Sequence, residues 1–127
     1  MKSDILVDTS AWIDYFNKPE SETGRTVEQI LWNGRAVLAG IVLTEILQSA
    51  KIKTELDAIL ESMLALPFLE ASLTTWIEAG RLSIALRKKG MTIPTTDLII
   101  AGLALENNCS LLTLDPHFQK IPGAKIY

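Results

Sequence analysis

The stretch ILVDTSAWIDYF, residues 5–16, decides the fold. Ile5-Leu6-Val7 is an unbroken apolar run, which is the pattern of a strand covered on both faces, as in a parallel sheet, and not of a half-exposed strand. Asp8 closes the run. Ser10 is placed to cap a helix over residues 11–16, whose Trp12, Ile13, Tyr15 and Phe16 form a wide apolar face, and Asn17-Lys18-Pro19 ends it. Strand, acid and helix follow one another within twelve residues.

The same arrangement returns along the chain. Ala36–Ala39 reads as a second strand, and residues 42–50 as a helix that carries Glu45 in its first turn or two. Residues 110–114 are the clearest late strand, closed by Asp115-Pro116. Thr95-Thr96-Asp97 opens a helix whose residues 98–105 are apolar around nearly the whole circumference, as expected of a helix packed on several sides. Further helices are expected over 20–32, 55–66 and 74–89, stopped by Asn33-Gly34, Pro67 and Gly90. Residues 68–71 suit an edge strand, and 125–127 a short final one. Strands alternating with helices make this an α/β protein with a mostly parallel sheet. Without repeats, low-complexity tracts or a linker, residues 1–127 read as a single domain.

Four acids thus stand where burial disfavours them: Asp8, Glu45, Asp97 and Asp115. In a parallel sheet the carboxyl ends of the strands share one edge, where ligands bind, so acids more than a hundred positions apart can meet there. Two carboxylates about 4 Å apart repel by about 4 kcal/mol at an effective dielectric of 20, so a shared pocket demands a counter-ion. Mg²⁺ or Mn²⁺ suits an all-oxygen donor set. One cysteine, Cys109, and one histidine, His117, supply no zinc set and leave oxygen as the expected ligand. The chemistry such a pocket supports is phosphoester hydrolysis by metal-activated water. Taken singly, each acid has an ordinary alternative: a cap at Asp8, a helix-dipole partner at Asp97, an exposed first turn at Glu45, a turn signal at Asp115-Pro116.

Composition narrows the partners. Apolar residues are 48% and charged residues 21% of 127, so the chain is expected to be a compact globular protein. A net charge of −3 lacks the broad basic signature of proteins that grip nucleic acid by neutralising its backbone. Lys51 and Lys53, and Arg87, Lys88 and Lys89, are short basic clusters that equally suit solvated helix ends. A bound metal, and not net charge, would reconcile an acidic protein with a polyanionic substrate. The opening MKSDILVDTS does not read as a signal peptide, and no apolar stretch approaches a membrane span, so the expected location is the cytoplasm.

The segments ILVDTSAWIDYF, LTEIL, TTDLIIAGLAL and LLTLDPHF resemble, in order and spacing, PIN-domain ribonucleases, specifically the VapC toxins of bacterial toxin–antitoxin pairs. The match runs almost end to end. The resemblance implies a three-layer α/β/α sandwich and a Mg²⁺- or Mn²⁺-dependent endoribonuclease with metal-site acids at Asp8, Glu45, Asp97 and Asp115. It gives Thr9, Ser10 and Thr113 supporting roles, with helix capping or strand-end bonding as alternatives. It implies an RNA substrate, inhibition by a VapB-type antitoxin lying across the groove, and a toxin homodimer within a higher assembly. Trp12, Tyr15, Phe16, Leu56 and Leu60 could line a partner surface, although such stripes are more often core. Some relatives carry a second aspartate two residues after the last acid, where this chain has His117. That departure favours one tightly held ion, with His117 either near RNA or an ordinary surface histidine.

Two other functions compete. A phosphatase or phospho-acceptor domain could use Asp8 as nucleophile, but Asp8-Thr9-Ser10 lacks a nearby second aspartate and the last clear strand lacks a lysine. A PIN-fold module that binds RNA or protein without catalysis is the nearer alternative, and the presence of all four acids weighs against it.

Overall fold

The computed structural model describes residues 3–127. In chain order the elements are β1 (Ile5–Val7), α1 (Thr9–Asn17), α2 (Glu22–Trp32), β2 (Ala36–Ala39), α3 (Gly40–Ser49), α4 (Lys53–Met63), β3 (Phe68–Leu69), α5 (Leu73–Lys88), α6 (Thr95–Glu106) and β4 (Ser110–Leu112). A 3₁₀ turn over Pro116–Lys120 follows. The four strands form one sheet in the order β3-β2-β1-β4, and every pairing is parallel. The expected edge strand is therefore an edge strand, two residues long.

The burial of β1 explains the layering. Successive strand residues point to opposite faces, yet Ile5, Leu6 and Val7 are all fully buried, so both faces of the sheet are covered. The architecture is an α/β sandwich. β2 is likewise buried from Ala36 to Ala39, and α6 buries Leu98, Ile99, Ile100, Ala101, Leu103 and Ala104, more than one face of a helix. No helix among the described residues is long and apolar enough to cross a membrane.

Chain order reverses across β1: β2 lies on one side of it and β4 on the other. That reversal is the topological switch of an open α/β sheet, where a crevice forms outside the strand carboxyl ends. Val7 pairs with Leu112, so Asp8 and Thr113 leave the sheet side by side. The Asp8 N–H still donates to the Leu112 carbonyl at 2.9 Å.

Several local expectations need correction. Ser10 is no cap: α1 begins at Thr9, and Asp8 holds the N-cap position through its backbone while its side chain makes no cap bond. β4 stops at Leu112 instead of Leu114, which is exposed, and residues 125–127 contribute only an isolated bridge between Leu111 and Ile126. α4 starts at Lys53 and ends at Met63, where Ile59 and Met63 are buried and Leu64 is exposed. Trp76, Ile77 and Ile84 on α5 are also exposed; Thr75, Ala79 and Leu86 form its buried face. Trp12 belongs to the core, 1% exposed and stacked on Phe16 with ring centroids 5.9 Å apart.

Other helix ends are made by local bonds and turns. Ser21 accepts from the Gly24 N–H at 2.9 Å to start α2, and Gly34, at φ +68°, turns the chain away after α2 ends. Ser72 and Thr75 form a capping box on α5, and Thr75 also donates to Glu106 at 2.8 Å. Gly24 has a separate reason to be glycine. A Cβ there would stand 2.6 Å from the Lys18 carbonyl oxygen and 2.7 Å from that of Pro19, both backbone atoms. Gly24→Ala is expected to force the α1–α2 turn away from α2 and to cost about 1–3 kcal/mol, read as a lower urea midpoint.

Candidate active site at the sheet switch point

Asp8 reaches the site as the residue after β1. It is only 5% exposed, and its Oδ2 accepts two hydroxyl donors: Thr113 Oγ1 at 2.7 Å and Ser10 Oγ at 3.0 Å. Each hydroxyl is in turn held by backbone. Ser10 Oγ accepts from the Leu114 N–H and Thr113 Oγ1 from the Asp115 N–H, both at 3.0 Å. Two hydroxyls thus fasten the turn after β4 to the carboxylate after β1, and occupy one of its two oxygens. Removing the Thr113 hydroxyl leaves the part-buried Asp115 N–H without its acceptor, so Thr113→Val is expected to cost about 1 kcal/mol in urea denaturation.

Glu45 lies in the second turn of α3 and is half-buried. Thr9 Oγ1 donates to its Oε1 at 2.8 Å, which ties α1 to α3 at the crevice. The hydroxyls of Thr9, Ser10 and Thr113 therefore bond carboxylates, and none caps a helix.

Asp97 is the third residue of α6, and its partly buried carboxyl faces the other acids. Burial raises its pKa above the ordinary carboxylate value, and the charges of Asp8 and Asp115 raise it further; the His117 ring opposes them, and Glu45 adds a smaller push upward. Acids from three other segments thus act on the Asp97 carboxyl group. Asp115 caps the 3₁₀ turn, its Oδ1 accepting from the His117 N–H at 2.9 Å.

Among the described residues, Asp97, Asp115 and His117 form a group whose donor atoms all lie within 4.8 Å of one another. Asp8 and Glu45 stand outside this tight group, within electrostatic reach of Asp97. His117 Nδ1 lies 3.1 Å from Asp115 Oδ1 and 3.6 Å from Asp97 Oδ2. The structure thus brings a ring nitrogen, for which the oxygen-only expectation gave no place, beside two of the acids. Its signal in the sequence was the run Asp115-Pro116-His117-Phe118: a capping acid, a proline that starts a turn, and an apolar anchor, with Phe118 fully buried.

This donor set suits a hard or borderline divalent cation: several clustered carboxylates, one of them pushed toward protonation by its neighbours, and hydroxyls that orient the others. A crevice of about 560 Å³ reaches Glu45, the one of the four acids in its lining, and is also bounded by Gly40, Thr44, Phe68, Trp76 and Thr96.

The PIN-domain sequence pattern matches residues 5–124. Ribonuclease VapC1 of Methanocaldococcus jannaschii is 29% identical over 129 residues, covering 99% of this chain and 88% of that protein. Ribonuclease VapC2 of Rickettsia felis is 27% identical, covering 93% of this chain and 92% of that one. In three dimensions the chain superposes on a chain of Rickettsia felis VapBC2, crystallised with a DNA fragment from its promoter, with a TM-score of 0.81, 25% identity and coverage of 97% and 96%. A chain of the DNA-bound VapBC of Salmonella typhimurium gives a TM-score of 0.79 at 24% identity, over 99% of this chain and 98% of that one, which is a likeness of fold. With a family match over almost its whole length and the strand-end acids in place, the chain belongs to the PIN-domain family.

Proposed function

We propose that the chain is a single PIN domain acting as a divalent-metal-dependent endoribonuclease toxin, held in check by a VapB-type antitoxin. Asp8, Glu45, Asp97 and Asp115 are the acids that would hold Mg²⁺ or Mn²⁺, and Thr9, Ser10 and Thr113 are positioning residues that act through them. The observation that supports this most is the convergence of four acids from β1, α3, α6 and the turn after β4 on the switch-point crevice. The full-length similarity to proteins named ribonucleases points to RNA as the substrate.

A divalent ion bound there would supply Lewis acidity toward a scissile phosphate and lower the pKa of water. The protein's part is orientation. Because Thr113 and Ser10 occupy Oδ2 of Asp8, its other oxygen is the one left to face the crevice. The Thr9 bond holds Glu45 so that it need not reorganise when substrate arrives. Four clustered acids repel a phosphodiester until a cation offsets them, so binding and cleavage share one requirement.

The test uses protein purified free of antitoxin. RNA cleavage is expected with Mg²⁺ or Mn²⁺ and is expected to vanish in EDTA; full activity in chelator would remove the mechanism. Mapping the cleaved ends across cellular RNA would identify the target. Thr113→Val is expected to weaken metal binding by about 10–100-fold by freeing Asp8. Metal and antitoxin binding with no cleavage of any RNA would favour the non-catalytic module. By this reading the protein works in the cytoplasm as a homodimer that joins its antitoxin in a larger assembly.

A further inference from the structure

The geometry points to His117 as a nitrogen ligand of the divalent ion, completing a three-donor face with Asp97 and Asp115 and biasing the site toward Mn²⁺ over Mg²⁺. This inference rests on the metal-site reading above.

The ring is held in place by its neighbours. Pro116 begins the 3₁₀ turn, the His117 N–H is bonded to Asp115 Oδ1, and the next residue, Phe118, is fully buried. Nδ1 is consequently brought against two carboxylates, 3.1 Å from Asp115 Oδ1 and 3.6 Å from Asp97 Oδ2. The donor atoms of Asp97, Asp115 and His117 all lie within 4.8 Å of one another, a span over which one ion could draw them together.

Apart from its approach to these two carboxylates, the nitrogen has no partner. Nδ1 is buried and makes no aligned hydrogen bond, although two acceptors lie near it. A buried polar atom without a partner is costly, and an imidazole nitrogen set against two carboxylate oxygens gains from a cation between them. The remainder of the side chain is 43% exposed, so packing of the ring does not explain its placement.

Nitrogen ligation has a chemical consequence. Mg²⁺ prefers oxygen and gives up its waters reluctantly, whereas first-row transition ions accept imidazole readily. A site with one nitrogen among carboxylates therefore gains more affinity for Mn²⁺ than for Mg²⁺ relative to an all-oxygen site.

Pulsed electron paramagnetic resonance on the full chain loaded with Mn²⁺ reads nitrogen ligation directly, without an activity assay. The expected result is a nitrogen hyperfine coupling in the wild type that disappears in His117→Gln. Titrations of Mn²⁺ and Mg²⁺ into both proteins should show Mn²⁺ affinity falling by about tenfold or more in the variant and Mg²⁺ affinity falling less. Circular dichroism and His117→Asn, a second variant, separate loss of a ligand from loss of the turn. Mn²⁺ binding without nitrogen coupling, or equal losses for the two ions, would overturn the role of His117 while leaving the acidic site intact. Absence of Mn²⁺ binding in the wild type would overturn the metal-site reading and this inference with it.

Discussion

Asp97→Asn is expected to reduce divalent-metal-dependent RNA cleavage by about 10³-fold or more, and Asp8→Asn to do the same, because each removes a charge aimed at the place where charge develops in the reaction. The substitutions are nearly isosteric, so packing survives. Asp97 projects from the first turn of α6, a helix anchored by six buried apolar residues, and Asp8 follows a strand with no exposed residue. Neither element depends on the carboxylate for its fold. The measurement is a single-turnover rate on a fixed RNA with Mn²⁺ in excess, alongside a far-ultraviolet spectrum showing that the variant is folded. Full activity in both variants would remove these acids from the mechanism.

Metal-linked stability should move in the opposite sense in the same variant. In the metal-free protein Asp97 is a strained acid: burial and the charges of Asp8 and Asp115 raise its pKa above the ordinary 3.8. The folded state therefore holds the Asp97 proton more tightly than the unfolded chain does. The resulting stability is present below the unfolded value and is lost as pH rises through the folded one. At pH values above its folded-state pKa, in chelator, wild-type Asp97 is ionised and destabilising, so Asp97→Asn should there unfold at higher urea concentration than the wild type. Below pH 3.8 the difference should close.

Adding metal reverses the ranking. An ion at about 100 times its dissociation constant stabilises by about 2.7 kcal/mol, roughly 8–12 °C in thermal midpoint for a domain of this size. The wild type should show that rise with Mn²⁺ and Asp97→Asn should show little of it. Equal shifts in both proteins, or no gain in the metal-free variant, would show that Asp97 is not a member of a repelling acidic cluster. Scanning calorimetry with and without EDTA across pH makes the comparison.

Much of this organisation is readable in one dimension, for an identifiable reason. An apolar run too short and too continuous to be a half-exposed strand, followed at once by an acid, occurs at Ile5–Asp8 and again near Asp115, and burial on both faces is a property that composition alone records. Helix ends were legible where a glycine turns the chain, as at Gly34 and Gly90, whereas the Ser72–Thr75 cap set the start of α5 before the expected residue 74. They were misjudged where tertiary neighbours intervene. Ser10 has the chemistry of a cap, yet its hydroxyl is taken by Asp8 and by the backbone of a segment a hundred residues away. The exposed Trp76 and Ile84 show the converse: an apolar residue on a helix does not announce which side of the helix meets the core.

The sequence by itself determined the α/β alternation, the parallel sheet and the four acids at or near strand ends, because each is written in local apolar runs and their punctuation. Only the tertiary structure decided what those acids touch. Placing β4 beside β1, with Leu112 opposite Val7, is what gives Asp8 its two hydroxyl partners, and the turn after Asp115 is what sets His117 against Asp97. Pairings of that kind depend on strand order and register, which are set by packing the whole chain and leave no mark in the spacing of any single segment.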